Sequence, residues 1–313
     1  MIEFHGVSQS SRRQVKNMKT VFRVKRAFQG IHNTILSAFF IALPIIFIIF
    51  NACSRSVRVK AELFSEVRSI QPGQAFCVAV WLKMDVHWHT YWKNPGDSGM
   101  PTKITWQLPD GFKVGEVQWP CPQKFGEPPV VSFGYAGEAF LITEVIAEEN
   151  TKPGTEVKIT AIVEWLACKE SCIPGSAELS LSLPVKDIIP DLDMRLAGRF
   201  VETRMNLPRA FPDWKIRASA GSSNILIQVD PPPWFKDELT GLAFFPEQEG
   251  MIDYSKTQSL KISGNGYVLE IRRSVLSVSL PQRLHGILFS PKGWSQAGQE
   301  RAFYIDLPLH QQE

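Results

Sequence analysis

Cys168 and Cys172 stand in the run Glu164-Trp165-Leu166-Ala167-Cys168-Lys169-Glu170-Ser171-Cys172-Ile173-Pro174. Two thiols this close support three chemistries. The first is a structural disulfide, common in exported proteins. A loop of five residues restrains the unfolded chain by only about 2 kcal/mol, less than the ~3 kcal/mol of a 15-residue loop, so the bridge is a poor staple. The second is a redox dithiol that cycles between oxidised and reduced forms. The third is a soft metal site, two thiolates supplemented by histidine, suited to copper(I) or zinc. Residue types alone leave redox and structural roles open.

His87-Trp88-His89 bears on the metal reading. Two positions apart on a strand, His87 and His89 would share one face with Tyr91, and Trp88 and Trp92 lie among them. An aromatic platform with hydrogen-bonded imidazoles explains that cluster better than a metal does. No cofactor and no metal are therefore expected. The remaining cysteines are Cys53, near the N-terminus, Cys77, within a strand-like run, and Cys121, in a proline-flanked loop.

The elements that must carry these residues read as β-structure. Val57-Arg58-Val59-Lys60-Ala61-Glu62-Leu63 alternates, and Phe76-Cys77-Val78-Ala79-Val80-Trp81-Leu82 has the composition of a buried strand. Breaks fall at Gln71-Pro72-Gly73, Asn94-Pro95-Gly96-Asp97, Leu108-Pro109-Asp110-Gly111, Lys152-Pro153-Gly154 and Pro174-Gly175. Strands at this spacing indicate a sandwich rather than alternating βαβ units. A short helix is expected over Asp193 to Asn206, with Met194, Leu196, Phe200, Val201 and Met205 as its apolar positions, stopped before Pro208. Beyond it Ile225–Val229, Leu260–Ile262, Tyr267–Ile271 and Ala302–Leu307 are strands again. The expected fold is all-β: two immunoglobulin-like sandwiches, 57–187 and 191–313, joined by a short helical connector. At 313 residues with 44% apolar content, two domains are the ordinary expectation.

The N-terminus reads as an export signal. Residues 1–34 form a basic tail with seven Lys and Arg against one acid, Glu3, and Ile35 to Phe50 carries no charge. That apolar run is short of the ~20 residues of a full span and is interrupted by Pro44, so 35–52 is either a cleaved signal or a membrane anchor. Cys53, after Phe50-Asn51-Ala52, is a candidate for lipidation. Removing the tail's seven bases and one acid from the chain's 34 and 31 leaves 27 against 30, a net of −3. The basicity belongs to the tail, and nucleic acid is not an expected partner. The expected location is the periplasm, with attachment to the membrane through the N-terminal segment or a lipid.

Several motifs in order now bear on family. Val86-His87-Trp88-His89-Thr90-Tyr91-Trp92-Lys93-Asn94-Pro95-Gly96-Asp97-Ser98-Gly99, Trp106-Gln107-Leu108-Pro109-Asp110-Gly111, Trp119-Pro120, Phe133-Gly134-Tyr135 and Trp165-Leu166-Ala167-Cys168 with Cys172-Ile173-Pro174 together resemble the N-terminal periplasmic domain of DsbD and ScsB thiol:disulfide interchange proteins. The resemblance covers roughly residues 57–187, and the second β region is similar to the extension of the ScsB-like branch. It implies an immunoglobulin-like sandwich whose Cys168 and Cys172 relay electrons from a membrane-embedded, DsbD/CcdA-like donor to periplasmic thioredoxin-fold proteins. It makes Cys172 the cysteine that enters the mixed disulfide. It implies an aromatic cap loop over the pair, assigned here to Phe133, Gly134 and Tyr135, and a surround of His87, His89, Tyr91 and Trp165. Family members continue into membrane spans and a thioredoxin-like domain, which this sequence lacks, so the donor is expected to be a separate protein. The competing expectation is a non-catalytic interaction or copper-binding module with a structural cysteine pair.

Overall fold

The structure, a computed structural model, describes residues 58–275 and 281–311. The basic tail, the signal or anchor segment and Cys53 lie outside the described residues. Among those described, no helix is long and apolar enough to cross a membrane.

The described residues form an all-β, immunoglobulin-like fold with one short helix. Strands β1 (Val59–Ser65), β2 (Ala75–Met84), β5 (Lys113–Gln118) and β8 (Glu138–Ile146) form a four-stranded sheet in the order β1-β2-β8-β5. Strands β3 (His89–Gly96), β6 (Gln123–Phe125), β7 (Ser132–Ala136), β9 (Glu156–Cys168) and β10 (Cys172–Pro184) form the facing sheet in the order β10-β9-β3-β7-β6, with β4 (Lys103–Gln107) also pairing with β9. Between the two sheets lie Val80, Leu82 and Leu141 from one and Trp92, Ala161 and Val163 from the other, all buried in one apolar cluster. Val80 and Leu82 stand two apart on β2, and Ala161 and Val163 two apart on β9, as period-2 patterning requires.

Three of the five Pro-Gly breaks separate strands, and two fall inside them. Asn94-Pro95-Gly96 ends β3, where the pairing with β7 shifts register between Tyr91 and Gly96. Pro174-Gly175 lies within β10, opposite Leu166 and Trp165. There β10 is the sheet's edge strand, so the missing proline N–H removes no ladder bond from an interior pair.

The helix α1 (Ala197–Asn206) starts four residues later than its apolar spacing predicts. Asp193 ends the extended connector instead: its backbone N–H bonds Glu66 O, and its carboxylate accepts from the backbone N–H and the guanidinium of Arg195. Only Phe200 and Thr203 of α1 are buried, whereas Met194, Val201 and Met205 are exposed. Phe200 packs edge-on to Phe140 of β8 at 5.0 Å, and Arg204 makes a two-pronged bond to Glu66, which ties the helix to the first sandwich.

The remaining strands form one seven-stranded array, in the order β13-β16-β17-β11-β12-β15-β14. They are β11 (Lys215–Ala220), β12 (Asn224–Asp230), β13 (Ala243–Pro246), β14 (Ser259–Ser263), β15 (Gly266–Arg272), β16 (Arg283–Phe289) and β17 (Ala302–Gln311). Strand β17 pairs with β16 up to Pro308 and with β11 from Leu309, so it hands over from one group of strands to the other. Ile225, Ile227 and Val229 of β12 share a core with Leu284, Ile287 and Leu288 of β16. The described residues form one compact unit, and a continuous buried cluster runs from the first two sheets into this array.

Candidate functional site

The hairpin β9–β10 places the two cysteines opposite each other as its first register pair, with Cα atoms 4.2 Å apart, and they are joined in a disulfide. The sequence between them, Lys169-Glu170-Ser171, is all polar and forms the exposed tip. The two sulfurs sit in different surroundings. Cys168, the last residue of β9, is 4% exposed, whereas Cys172, which opens the edge strand, is exposed.

Strand β3 lays two of the expected side chains against this bridge. His89 is the register partner of Cys168. Two residues on, the Tyr91 hydroxyl lies 3.6 Å from Cys172 Sγ. A disulfide sulfur carries no hydrogen, so the hydroxyl is the donor in that contact. Burial pushes the Tyr91 phenol above its ordinary range, which keeps the proton on oxygen. Burial also lowers His89, so its imidazole is neutral at pH 7.

The position of the Tyr91 ring is set by a glycine. Gly99 has φ +104°, and a Cβ there would lie 2.2 Å from Tyr91 Cε1. Only a residue without a side chain fits both the backbone and the ring. Trp165 is held in a similar way over Gly175, its register partner, where a Cβ would approach Trp165 Nε1 to 2.5 Å.

Two expectations for the site are corrected. His87 does not share a strand face with His89: it is an exposed residue with φ +70° in the turn before β3, which starts only at His89. Among the described residues no group of three or more His, Cys, Asp or Glu could hold a metal ion. Phe133, Gly134 and Tyr135 do not form a loop over the pair. They are consecutive residues of β7, and Phe133 and Tyr135 are buried. Phe133 packs edge-on against Phe245 and Tyr254, and the Tyr135 hydroxyl donates to Pro120 O. Gly134 is where β7 meets β3, and a Cβ there would come within 1.9 Å of Thr90 O.

The aromatic group outside β3 that stacks on the site is Phe125. It ends the edge strand β6 and stacks on His89 at 4.4 Å and 7° between planes. The segment Gly126-Glu127-Pro128-Pro129-Val130 follows it, exposed throughout and containing a cis Pro128–Pro129 bond, before β7 begins. Its far end is clamped by Asp97, whose carboxylate accepts from Val131 N at 2.9 Å and whose own N–H donates to Val131 O at 2.8 Å. An isolated Phe at a strand end ahead of a Gly-Pro-rich stretch is the sequence signal for this group.

Cys77 and Cys121 are free thiols away from the bridge. Cys121 lines a cleft of about 640 Å³ whose walls include Tyr135, Phe140 and Arg199. Burial pushes its thiol up to about 12. Cys77 is also raised by burial, opposed by a hydrogen bond from Arg204.

With this geometry established, comparison with known proteins is informative. Residues 60–184 match the family model described as "Thiol:disulfide interchange protein DsbD, N-terminal". The N-terminal periplasmic domain of ScsB from Proteus mirabilis has a similar fold, with TM-score 0.57 and 12% identity over 82% of this chain and 96% of that one. A protein of unknown function from Porphyromonas gingivalis W83 aligns at TM-score 0.25 and 10% identity over 80% of this chain and all of that one, too weak a likeness to bear on the fold. No curated protein sequence matches the chain.

Proposed function

We propose, on the premise that residues 60–184 are a DsbD-type N-terminal domain of the thiol:disulfide interchange family, that the chain relays electrons outside the cytoplasm through Cys168 and Cys172. The donor in this reading is a membrane-embedded reductase, and the acceptors are periplasmic thioredoxin-fold proteins. The observation that carries it is the asymmetry of the bridge: Cys172 is an exposed residue opening an edge strand, and Cys168 is a buried residue of the strand beside it.

In disulfide exchange the attacking thiolate must approach one sulfur along the S–S axis, and access decides which. An incoming donor thiolate attacks Cys172 Sγ, the Cys168–Cys172 bond breaks, and Cys168 leaves as a thiolate that takes up a proton. The donor's second thiolate then attacks the donor sulfur of the mixed disulfide. That step leaves Cys172 as a thiolate and the donor oxidised by two electrons. Passing electrons onward is the reverse, with Cys172 attacking the acceptor's disulfide and Cys168 resolving it. The Tyr91 hydroxyl, in hydrogen-bond reach of Cys172 Sγ, stabilises the thiolate at that sulfur, and charge-assisted bonds of this kind are about twice as strong as neutral ones. The stacked pair of Phe125 and neutral His89 keeps solvent oxidants from the flank of Cys168.

Substituting Cys168→Ala removes the resolving thiol and leaves the attacking one. The variant is expected to accumulate a mixed disulfide with thioredoxin-fold partners, and Cys172→Ala is not. Capture of no such partner by either variant, with a wild-type bridge that cannot be reduced short of unfolding, contradicts the relay.

A further inference from the structure

Strand β3 has two halves with different neighbours. Its first half, His89 to Tyr91, lies on the disulfide. Its second half is gripped by the chain's last β region. Asn94, 0% exposed, donates through Nδ2 to Pro246 O at 2.7 Å and to the Tyr254 hydroxyl at 3.1 Å, with a longer contact to Gln248 O at 3.4 Å. Beside it Lys93 pairs with Glu247. The neighbouring strand β7 is held in the same place, with Phe133 wedged edge-on between Phe245 and Tyr254. This grip falls where β3 and β7 lose their regular register, between Tyr91 and Gly96. Pro95 supplies no N–H here, and the Asn94 side chain spends its donors on residues more than 150 positions away.

We propose that the segment Pro246–Tyr254 of the second β region is a working part of the redox site, and that Asn94 is a positioning residue that sets Tyr91 against Cys172. Between Tyr91 and Gly96 the regular pairing of β3 with β7 is interrupted before it resumes at Gly96 and Ser132; the hydrogen bonds of Asn94 hold the strand across that gap. A buried amide left without its acceptors would draw the strand end toward water, and the Tyr91 hydroxyl, three residues away on the same strand, would lose its distance to the sulfur. The second β region thereby tunes how readily Cys172 ionises and how stable the bridge is, without touching either cysteine. This rests on the pair being a redox couple, and its test requires no protein partner.

The test uses the full chain equilibrated with glutathione redox buffers, reading the oxidised and reduced populations by alkylation and mass. Asn94→Ala and the milder Tyr254→Phe, which removes a single oxygen, are each expected to shift the equilibrium constant by about threefold or more, in the same direction as Tyr91→Phe. In a Tyr91→Phe background the same two substitutions are expected to add little, because they act through that hydroxyl. Should Asn94→Ala not fold, Tyr254→Phe alone decides. An unchanged equilibrium, or shifts that add in full to that of Tyr91→Phe, overturns the proposal while leaving the relay intact. A wild-type bridge that no thiol buffer reduces in the folded protein overturns both.

Discussion

Cys172 opens β10 at one edge of the sheet and Cys121 precedes β6 at the other, and they illustrate what makes a cysteine reactive. Both have proline nearby, at Pro174 and at Pro120 and Pro122, and both stand in aromatic surroundings. Cys172 opens an edge strand, is exposed, and is bonded to the buried Cys168, whose sulfur can act as leaving group. Cys121 lies in a cleft wall where burial raises its thiol to about 12 and no second sulfur is bonded to it. Composition and local sequence do not separate the two; exposure and a partner sulfur do.

The largest effect that can break this contrast is in alkylation. After the bridge is reduced, iodoacetamide is expected to label Cys172 in the folded protein. Cys121, with about one molecule in ten thousand as thiolate at pH 8, reacts at about a thousandth of the rate of an unperturbed thiol. Comparable labelling of both at short times would contradict the assignment of roles. Second comes Gly99→Ala, which puts a methyl into the Tyr91 ring at a positive φ. It should lower stability by about 3 kcal/mol in denaturant melts and weaken protection of the bridge. Wild-type stability would mean that Tyr91 has room to move.

Smaller effects sharpen the picture. Phe125→Ala uncovers His89 and is expected to raise the rate of bridge reduction by small thiols several-fold, with a stability loss of about 1 kcal/mol because Phe125 is only half-buried. An unchanged rate would show that this ring screens nothing. The least effect concerns pH. Burial lowers the folded-state pKa of His89 below its ordinary value of 6.5, so its contribution to stability is complete above pH 6.5 and is lost as pH falls through the folded-state value. Melting temperature should decline on going from pH 7 to pH 5, less steeply in His89→Gln. Equal slopes would place His89 in water.

Much of the fold is legible in the sequence because strands with one buried face must alternate, and the turns between them need Pro and Gly. The alternation of Val57–Leu63 and the apolar run of Phe76–Leu82 correspond to β1 and β2, and the cysteine pair itself announces the site by spacing. The same alternation contains the correction to the cap: in Ser132-Phe133-Gly134-Tyr135-Ala136, two aromatics two apart share a strand face, which argues for a core rather than a lid. Phe125 is legible only as a lone aromatic before a turn-rich stretch. Asn94-Pro95-Gly96-Asp97 has the composition of a turn, yet Asn94 is buried against Pro246 and Tyr254 and Asp97 clamps Val131. Such partners are set by tertiary packing across up to 160 residues, which local sequence does not report. His87 is misplaced for a local reason: the tight turn at Asp85, closed by Trp88 N to Asp85 O, delays the strand by two residues.

The central claim is that the sulfur of the exposed cysteine, Cys172, receives the attack. Treating the folded, oxidised chain briefly with reduced glutathione, quenching with acid and mapping the adduct by peptide mass tests it most directly. The account predicts glutathione on Cys172, with Cys168 free. Glutathione on Cys168, or no adduct until the protein unfolds, contradicts it.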